Sequence, residues 1–289
     1  MSVLDKRLVV VTGKGGVGKT TVAAALAVLA VRQGKRVILC DPSDGSRLRM
    51  LAAGVPVCSI DPDRAKSEWL GRQLRSGTLA GILGRSSLFQ LLTAAAPGLS
   101  ELVTIGKVWD LARPDAARYD LAILDGPPTG QGLALLTSPR SYANLARTGP
   151  IHHQALEVDA FLRDRALTAV LGVALPEEMP VNETVELAGR LGDGGLALDA
   201  VVVNGLHPER FTKDEARRIA KLDGRVSPGA RAALDLAHFE YGRARRQCTE
   251  LRRIRRSLEA PVRTLPFLFE PVLGPAEIEL LSRALERLS

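Results

Sequence analysis

Six short apolar runs set the rhythm of the chain: RLVVVT (Arg7 to Thr12), RVILC (Arg36 to Cys40), LAILD (Leu121 to Asp125), TAVLGVAL (Thr168 to Leu175), DAVVVN (Asp199 to Asn204) and VRTLPF (Val262 to Phe267). Each is nearly continuous rather than alternating, as expected of strands covered on both faces in a parallel sheet. Between the first two, TTVAAALAVLAVRQ reads as a helix stopped by Gly34, and Pro97, Pro114, Pro139 and Pro150 punctuate further helical material. Ser227 and Pro228 make an N-cap and first-turn pair. From there Leu234, Ala237, Tyr241, Ala244, Cys248, Leu251, Ile254 and Leu258 recur every three or four residues up to Pro261. That spacing predicts one amphipathic helix of about 30 residues, roughly 45 Å long, its apolar stripe docked on the domain or a partner. The pattern predicts a doubly wound, mostly parallel α/β sheet with a helical subdomain. It reads as a single domain over residues 1–289, with helical material around 61–118, 138–166 and 208–258 and neither repeat nor low-complexity linker.

With 289 residues, 46% of them apolar and 25% charged, the chain has the make-up of a folded globular protein. The net charge of +7 is placed unevenly: Pro208 to Leu258 holds 14 Lys and Arg against 7 Asp and Glu, the whole excess. Arg243, Arg245, Arg246, Arg252, Arg253, Arg255 and Arg256 then form either a solvated face or a surface for acidic protein or nucleic acid, without interleaved aromatics for base stacking. Cys40, Cys58 and Cys248 lack the spacing of a disulfide frame or zinc knuckle. No secretory leader pattern and no eighteen-residue apolar window is read, so a cytoplasmic protein is expected. The C-terminal PAEIELLSRALERLS is amphipathic with net charge −1, which argues against an anionic-membrane anchor. His152 and His153 are adjacent and point to different sides of a helix, so a capping or interface role is expected rather than a shared metal.

The chemistry concentrates in VTGKGGVGKTT, Val11 to Thr21, which fits G-x-x-x-x-G-K-[ST] between a predicted strand and a predicted helix. Gly13, Gly15, Gly16 and Gly18 let the backbone around Val17 curl so that its N–H groups, with the helix N-terminus at Thr20 and Thr21, face phosphate oxygens. Lys19 is placed to reach the β- and γ-phosphates of ATP, and the Thr20 hydroxyl to meet Mg2+. Asp41, in CDPSDGS, ends the second strand beside this loop, as a site carboxylate or as a strand-end cap, with Asp44 a turn former. Asp125 ends an apolar strand in LAILDGPPTGQGLALL, the arrangement that holds a metal or its waters, and the stiff Gly126 to Gly130 loop follows it.

The second lysine of the loop, Lys14, makes GKGGVGKTT resemble the deviant Walker A ATPases. CDPSDGS and DGPPTGQ are similar to the D-P-A-H and D-T-A-P-T-G-H elements of their arsenical pump and tail-anchored-protein targeting family. Ser43, Asp44, Gly126, Pro127 and Gln131 depart from that pattern. VVVNGL, RTLPFLFEPVLG and APGLSEL resemble further segments of the same family. The resemblance implies a dimeric, Mg2+-dependent ATPase, with Lys14 reaching the nucleotide of the other subunit as an arginine finger does. By the same resemblance Asp41 polarises the attacking water, Asp41 and Asp125 lie near Mg2+, Asn204 bonds the adenine, and Pro266 and Phe267 pack beside the base.

The departures bear on what hydrolysis drives. The cysteines lie on different elements, which disfavours arsenite activation; the three methionines, Met1, Met50 and Met179, build no Met-rich client groove. SSLFQLLTAAAPGL offers apolar residues for a client helix or for the core. The expected function is a dimeric nucleotide-driven switch, homodimeric or paired with a paralogue, that handles a protein client or membrane-protein partner. The alternatives are a ParA/MinD-like positioning ATPase that binds DNA through the Arg-rich helix, and a catalytically silent partner of a paralogous ATPase.

Overall fold

The computed structural model describes residues 3–66, 98–116, 118–146, 148–222 and 226–286. Seven strands, β1 (Leu8–Gly13), β2 (Val37–Asp41), β3 (Val57–Ser59), β4 (Leu121–Pro128), β5 (Thr168–Ala174), β6 (Ala200–Leu206) and β7 (Val262–Pro266), form one sheet in the order β3-β2-β4-β1-β5-β6-β7. Every neighbouring pair is parallel. The described helices are α1 (Lys19–Arg32), α2 (Ser46–Leu51), α3 (Leu99–Ala112), α4 (Thr129–Ala146), α5 (Pro150–Arg163), α6 (Glu178–Asp193), α7 (Lys213–Lys221), α8 (Pro228–Ser257) and α9 (Pro275–Leu285).

The apolar runs are continuous because the sheet is covered on both faces. In β1, Leu8 and Val10 join the core under α3–α6 and the end of α8, while Val9 and Val11 join the opposite core under α1, α2 and α9. Ala122 and Leu124 of β4 divide from Leu121 and Ile123 in the same way. Helix α1 is buried nearly all round, which its run of Ala, Val and Leu anticipates. At its end Arg32 pairs with Glu279 and Glu286, tying α1 to the C-terminal helix.

All six sequence-predicted strands are present, five of them within two residues of their expected ends; β4 runs three residues past Asp125 to Pro128 and α4 begins at Thr129, so the loop expected over Gly126 to Gly130 is the end of a strand and the start of a helix. The short edge strand β3 was not expected, since three half-exposed residues carry no periodicity. Pro139 does not break a helix but lies inside α4. The carbonyl of Leu135, which a proline four residues on cannot serve, accepts the Ser138 hydroxyl at 3.0 Å instead. Helix α8 spans 30 residues with Ser227 accepting from Ala230 N, as predicted, but its stripe is docked only in part. Ala244, Gln247, Leu251 and Ile254 are buried, whereas Leu234, Ala237 and Tyr241 are half-buried and Leu236 and Phe239 are 61% and 54% exposed. Among the described residues, the first turns of α8 lie against α7 rather than on the body of the sheet. Residues 67–97, which include most of SSLFQLLTAAAPGL and the first two residues of APGLSEL, lie outside the described residues.

Candidate functional site

The loop Lys14–Gly18 leaves the carboxyl end of β1, the central strand, and feeds α1, at the sheet edge where α/β proteins bind ligands. Two glycines are required by close approach. A Cβ on Gly13 would stand 2.1 Å from the Val173 carbonyl oxygen, and one on Gly18, where φ is +94°, 2.3 Å from the Asn204 side chain. Gly15 and Gly16 face open space instead, room that a phosphate cradle needs. The two lysines of the loop diverge. Lys19 curls inward, its Nζ donating to the Gly13 and Lys14 carbonyls at 3.2 and 3.1 Å. Lys14 turns outward, and its Nζ lies 2.7 Å from Oε1 of Glu183 on α6.

Asp125 and Asp41 stand beside Lys19 and Thr20 in a cleft of about 450 Å3 that Glu101 and Thr104 of α3 and Gln131 of α4 close from the far side. Both carboxylates are buried. Burial pushes the Asp125 carboxyl up to about 6; the Thr20 hydroxyl that donates to it and the Lys19 ammonium pull the other way, while Asp41 pushes with the burial. Its Oδ1 is buried with no hydrogen-bond partner among the described residues. Burial outweighs Asp125 in its effect on Lys19, whose ammonium is held below the ordinary lysine range. Asp41 Oδ1 accepts from Ser43 N and Oγ at 2.8 and 2.7 Å, and Asp44 Oδ1 accepts in the same manner from Ser46, the expected turn.

An orphaned carboxylate oxygen and a hydroxyl in one cleft, with room for phosphates, suit a hard cation that takes most of its ligands from phosphate and water. The donor set fits Mg2+ in that sense: among the described residues no group of three or more His, Cys, Asp or Glu could hold a metal unaided. Asp125→Asn removes a buried charge and keeps an acceptor for Thr20. Because the native carboxyl titrates near 6 and the unfolded one near 4, the charge destabilises the fold fully above pH 6. The variant without nucleotide should therefore be more stable at pH 7.5 by on the order of 1–3 kcal/mol, and the gain should vanish as the pH falls from 6 towards 4. Thermal melts across that range check this; equal melting at pH 7.5 would contradict the assigned burial cost.

On the other side of the loop, Asn204 near the end of β6 donates from Nδ2 to the Val17 carbonyl at 2.9 Å, which ties the strand end to the phosphate loop. Pro266 ends β7, and Phe267 N donates to Leu206 O at 2.9 Å, so both expected base-side residues lie beside the end of β6. The remaining expectations resolve locally. His152 Nδ1 is 2.8 Å from the Ala143 carbonyl, an α5-to-α4 tie. Cys40 and Cys58 are register partners on β2 and β3, and burial raises both thiols, which makes them poor thiolate ligands for a metalloid. Among the described residues no helix is long and apolar enough to cross a membrane.

Sequence reasoning did not find Glu183, the partner of Lys14, nor the part that Glu101, Thr104 and Gln131 take in lining the cleft. Their relation to the loop depends on contacts between distant elements. The one local signal was the position of Glu183 within two turns of the start of the helix that follows β5.

A glycine-rich loop between a central parallel strand and a helix, with an inward lysine and strand-end carboxylates, defines a phosphate-loop nucleotide hydrolase. The family model of the anion-transporting ATPases matches residues 6–155 and 149–223, and the chain belongs to that family: it is an ATPase. It is 30% identical over 237 residues to ATPase BagA of Mycobacterium tuberculosis, covering 74% of this chain and 69% of that protein. To ATPase GET3C of Arabidopsis thaliana it is 33% identical over 271 residues, 72% and 69% of the two chains. To ATPase GET3 of Chaetomium globosum it is 26% identical over 257 residues, 71% and 75%. These relatives do not favour the positioning alternative.

Proposed function

We propose that the protein is a Mg2+-dependent ATPase that works as a dimeric switch, coupling hydrolysis to the handling of a protein client or membrane-protein partner. The observation that carries this reading is the divergence of the two loop lysines. Lys19 is committed to its own loop, while Lys14, one third exposed, is directed away from it and held by Glu183. A lysine so placed is available to a second subunit once it exchanges Glu183 for the partner's nucleotide. The exchange is within reach because a half-exposed ion pair contributes only about 0–1 kcal/mol.

In this reading the backbone of Gly13 to Thr21 cradles the phosphates, and Lys19 and the partner's lysine neutralise charge on the transferring group. Asp41 accepts a hydrogen bond from the attacking water and orients it. Thr20 and, directly or through water, Asp41 and Asp125 would hold Mg2+, which when bound would supply positive charge to the phosphate oxygens. Loss of the γ-phosphate releases the loop after β2 and the Gly126 to Pro128 end of β4, which runs directly into α4. Helix α4 and its neighbour α5 carry exposed Leu145 and Leu156, a candidate contact for an apolar client.

A complementation experiment tests the trans lysine. Lys14→Ala and Asp41→Asn each inactivate their own dimers. In an equal mixture, half the dimers are mixed and each has one complete site, so turnover should recover to about a quarter of wild type. A mixture as inactive as its components would assign Lys14 to its own subunit, and Lys14→Ala dimers that turn over like wild type would leave it no catalytic role.

A further inference from the structure

Where β6 and β7 end, three aromatic rings meet. His207 stacks on Phe267 with centroids 4.2 Å apart and planes 20° from parallel, and Phe269 meets both edge-on. Helix α8 closes this cluster from above. Gln247 Oε1 accepts from His207 N at 2.8 Å, and its Nε2 donates to Gly205 O at 3.4 Å. His207 is 4% exposed, and neither ring nitrogen has a hydrogen-bond partner among the described residues. A buried imidazole left without partners calls for an explanation. Phe267 keeps 37% of its surface open and follows β7 beside Gly205 and Leu206, at the carboxyl end of the sheet from which the phosphate loop also leaves.

We propose that His207 is a positioning residue for nucleotide binding: its neutral ring carries Phe267 at the height the base needs, and protonation disengages it. The inference rests on the reading that Asn204 and Phe267 flank the base. A flat ring, rather than an aliphatic side chain, is what stacking on Phe267 requires. The charges facing the imidazole are Arg210 after β6 and Glu240 and Arg243 on α8. Arg210 and Arg243 sit over Phe269 and Phe267, and Glu240 Oε2 is 3.9 Å from Nδ1. Burial first, then Arg243, hold the imidazole below the usual histidine range, with Arg210 adding to this and Glu240 opposing it. The ring is therefore neutral at pH 7.5, and its contribution is lost only as the pH falls through that lowered value.

Calorimetric titration with ATP and, separately, with inorganic tripolyphosphate tests this, because tripolyphosphate has no base. His207→Ala should raise the dissociation constant for ATP about tenfold and leave that for tripolyphosphate within about twofold. His207→Phe, which stacks but does not titrate, should restore ATP affinity. As the pH is lowered from 7.5 through the depressed range of this imidazole, the wild type should lose ATP affinity that His207→Phe keeps, a comparison that cancels titration of the phosphates. Equal pH profiles in the two, or equal loss of ATP and tripolyphosphate binding in His207→Ala, would overturn the inference alone. Tripolyphosphate bound as tightly as ATP by the wild type would overturn the base-side reading and this inference with it.

Discussion

With Asp41 replaced by Asn, the protein binds ATP and fails to hydrolyse it. The substitution is nearly silent in structure, because an amide oxygen accepts the same two hydrogen bonds from Ser43 that Asp41 Oδ1 accepts now. What it removes is the negative charge lining the cleft, and with it, in the proposed role of Asp41, the ability to draw a proton from water. Loss of a positioned general base lowers turnover by about 10^2- to 10^4-fold. Single-turnover hydrolysis, measured beside equilibrium ATP binding, separates the two effects. Hydrolysis within tenfold of wild type, with binding intact, would reduce Asp41 to the strand-end cap that its Ser43 bonds also describe.

Lys19→Ala should abolish measurable ATP binding, a loss of at least about 10^2-fold, because a charge-assisted contact to phosphate disappears together with the brace to the Gly13 and Lys14 carbonyls. The fold should survive, since the side chain lines a cleft rather than filling the core. The two can be told apart: the variant should melt as a single cooperative transition while calorimetry with ATP reports no heat of binding. An unchanged affinity would break the phosphate-loop assignment. The loss should also reach Asp125, because Lys19 is one of the two groups that hold its carboxyl down. Without it, that carboxyl titrates higher still.

The central strands and the loop were legible because they are local. Val9 to Thr12 is apolar on both faces, and glycine spacing followed by Lys19 and Thr20 writes the phosphate cradle into consecutive residues. Asp41 and Asp125 could be placed because a strand end is a position in sequence as well as in space. Glu183 and His207 were not legible in the same way. Each acquires its meaning from a partner on another element, Lys14 in one case and Phe267 in the other. Pro139 misled because the rule against helix prolines counts the carbonyl four residues back as abandoned, and here the Ser138 hydroxyl serves it. The outline of α8 was correct and its burial was not, since an apolar periodicity states which face is apolar and not how far the neighbouring body extends beneath it.

That partial docking has a mechanical consequence. The anchored turns of α8 lie where Gln247 bridges His207 and Gly205 and where Glu240 and Arg243 reach the aromatic cluster, next to the end of β6, while the turns from Pro228 to His238 lie, among the described residues, against α7. That portion is about 15 Å of stiff rod at 1.5 Å per residue. A tilt of roughly ten degrees about its held end moves the tip by about 3 Å, so a small rearrangement at the end of β6 arrives enlarged at Pro228. The helix is built as a pointer, with its pivot at the end of β6.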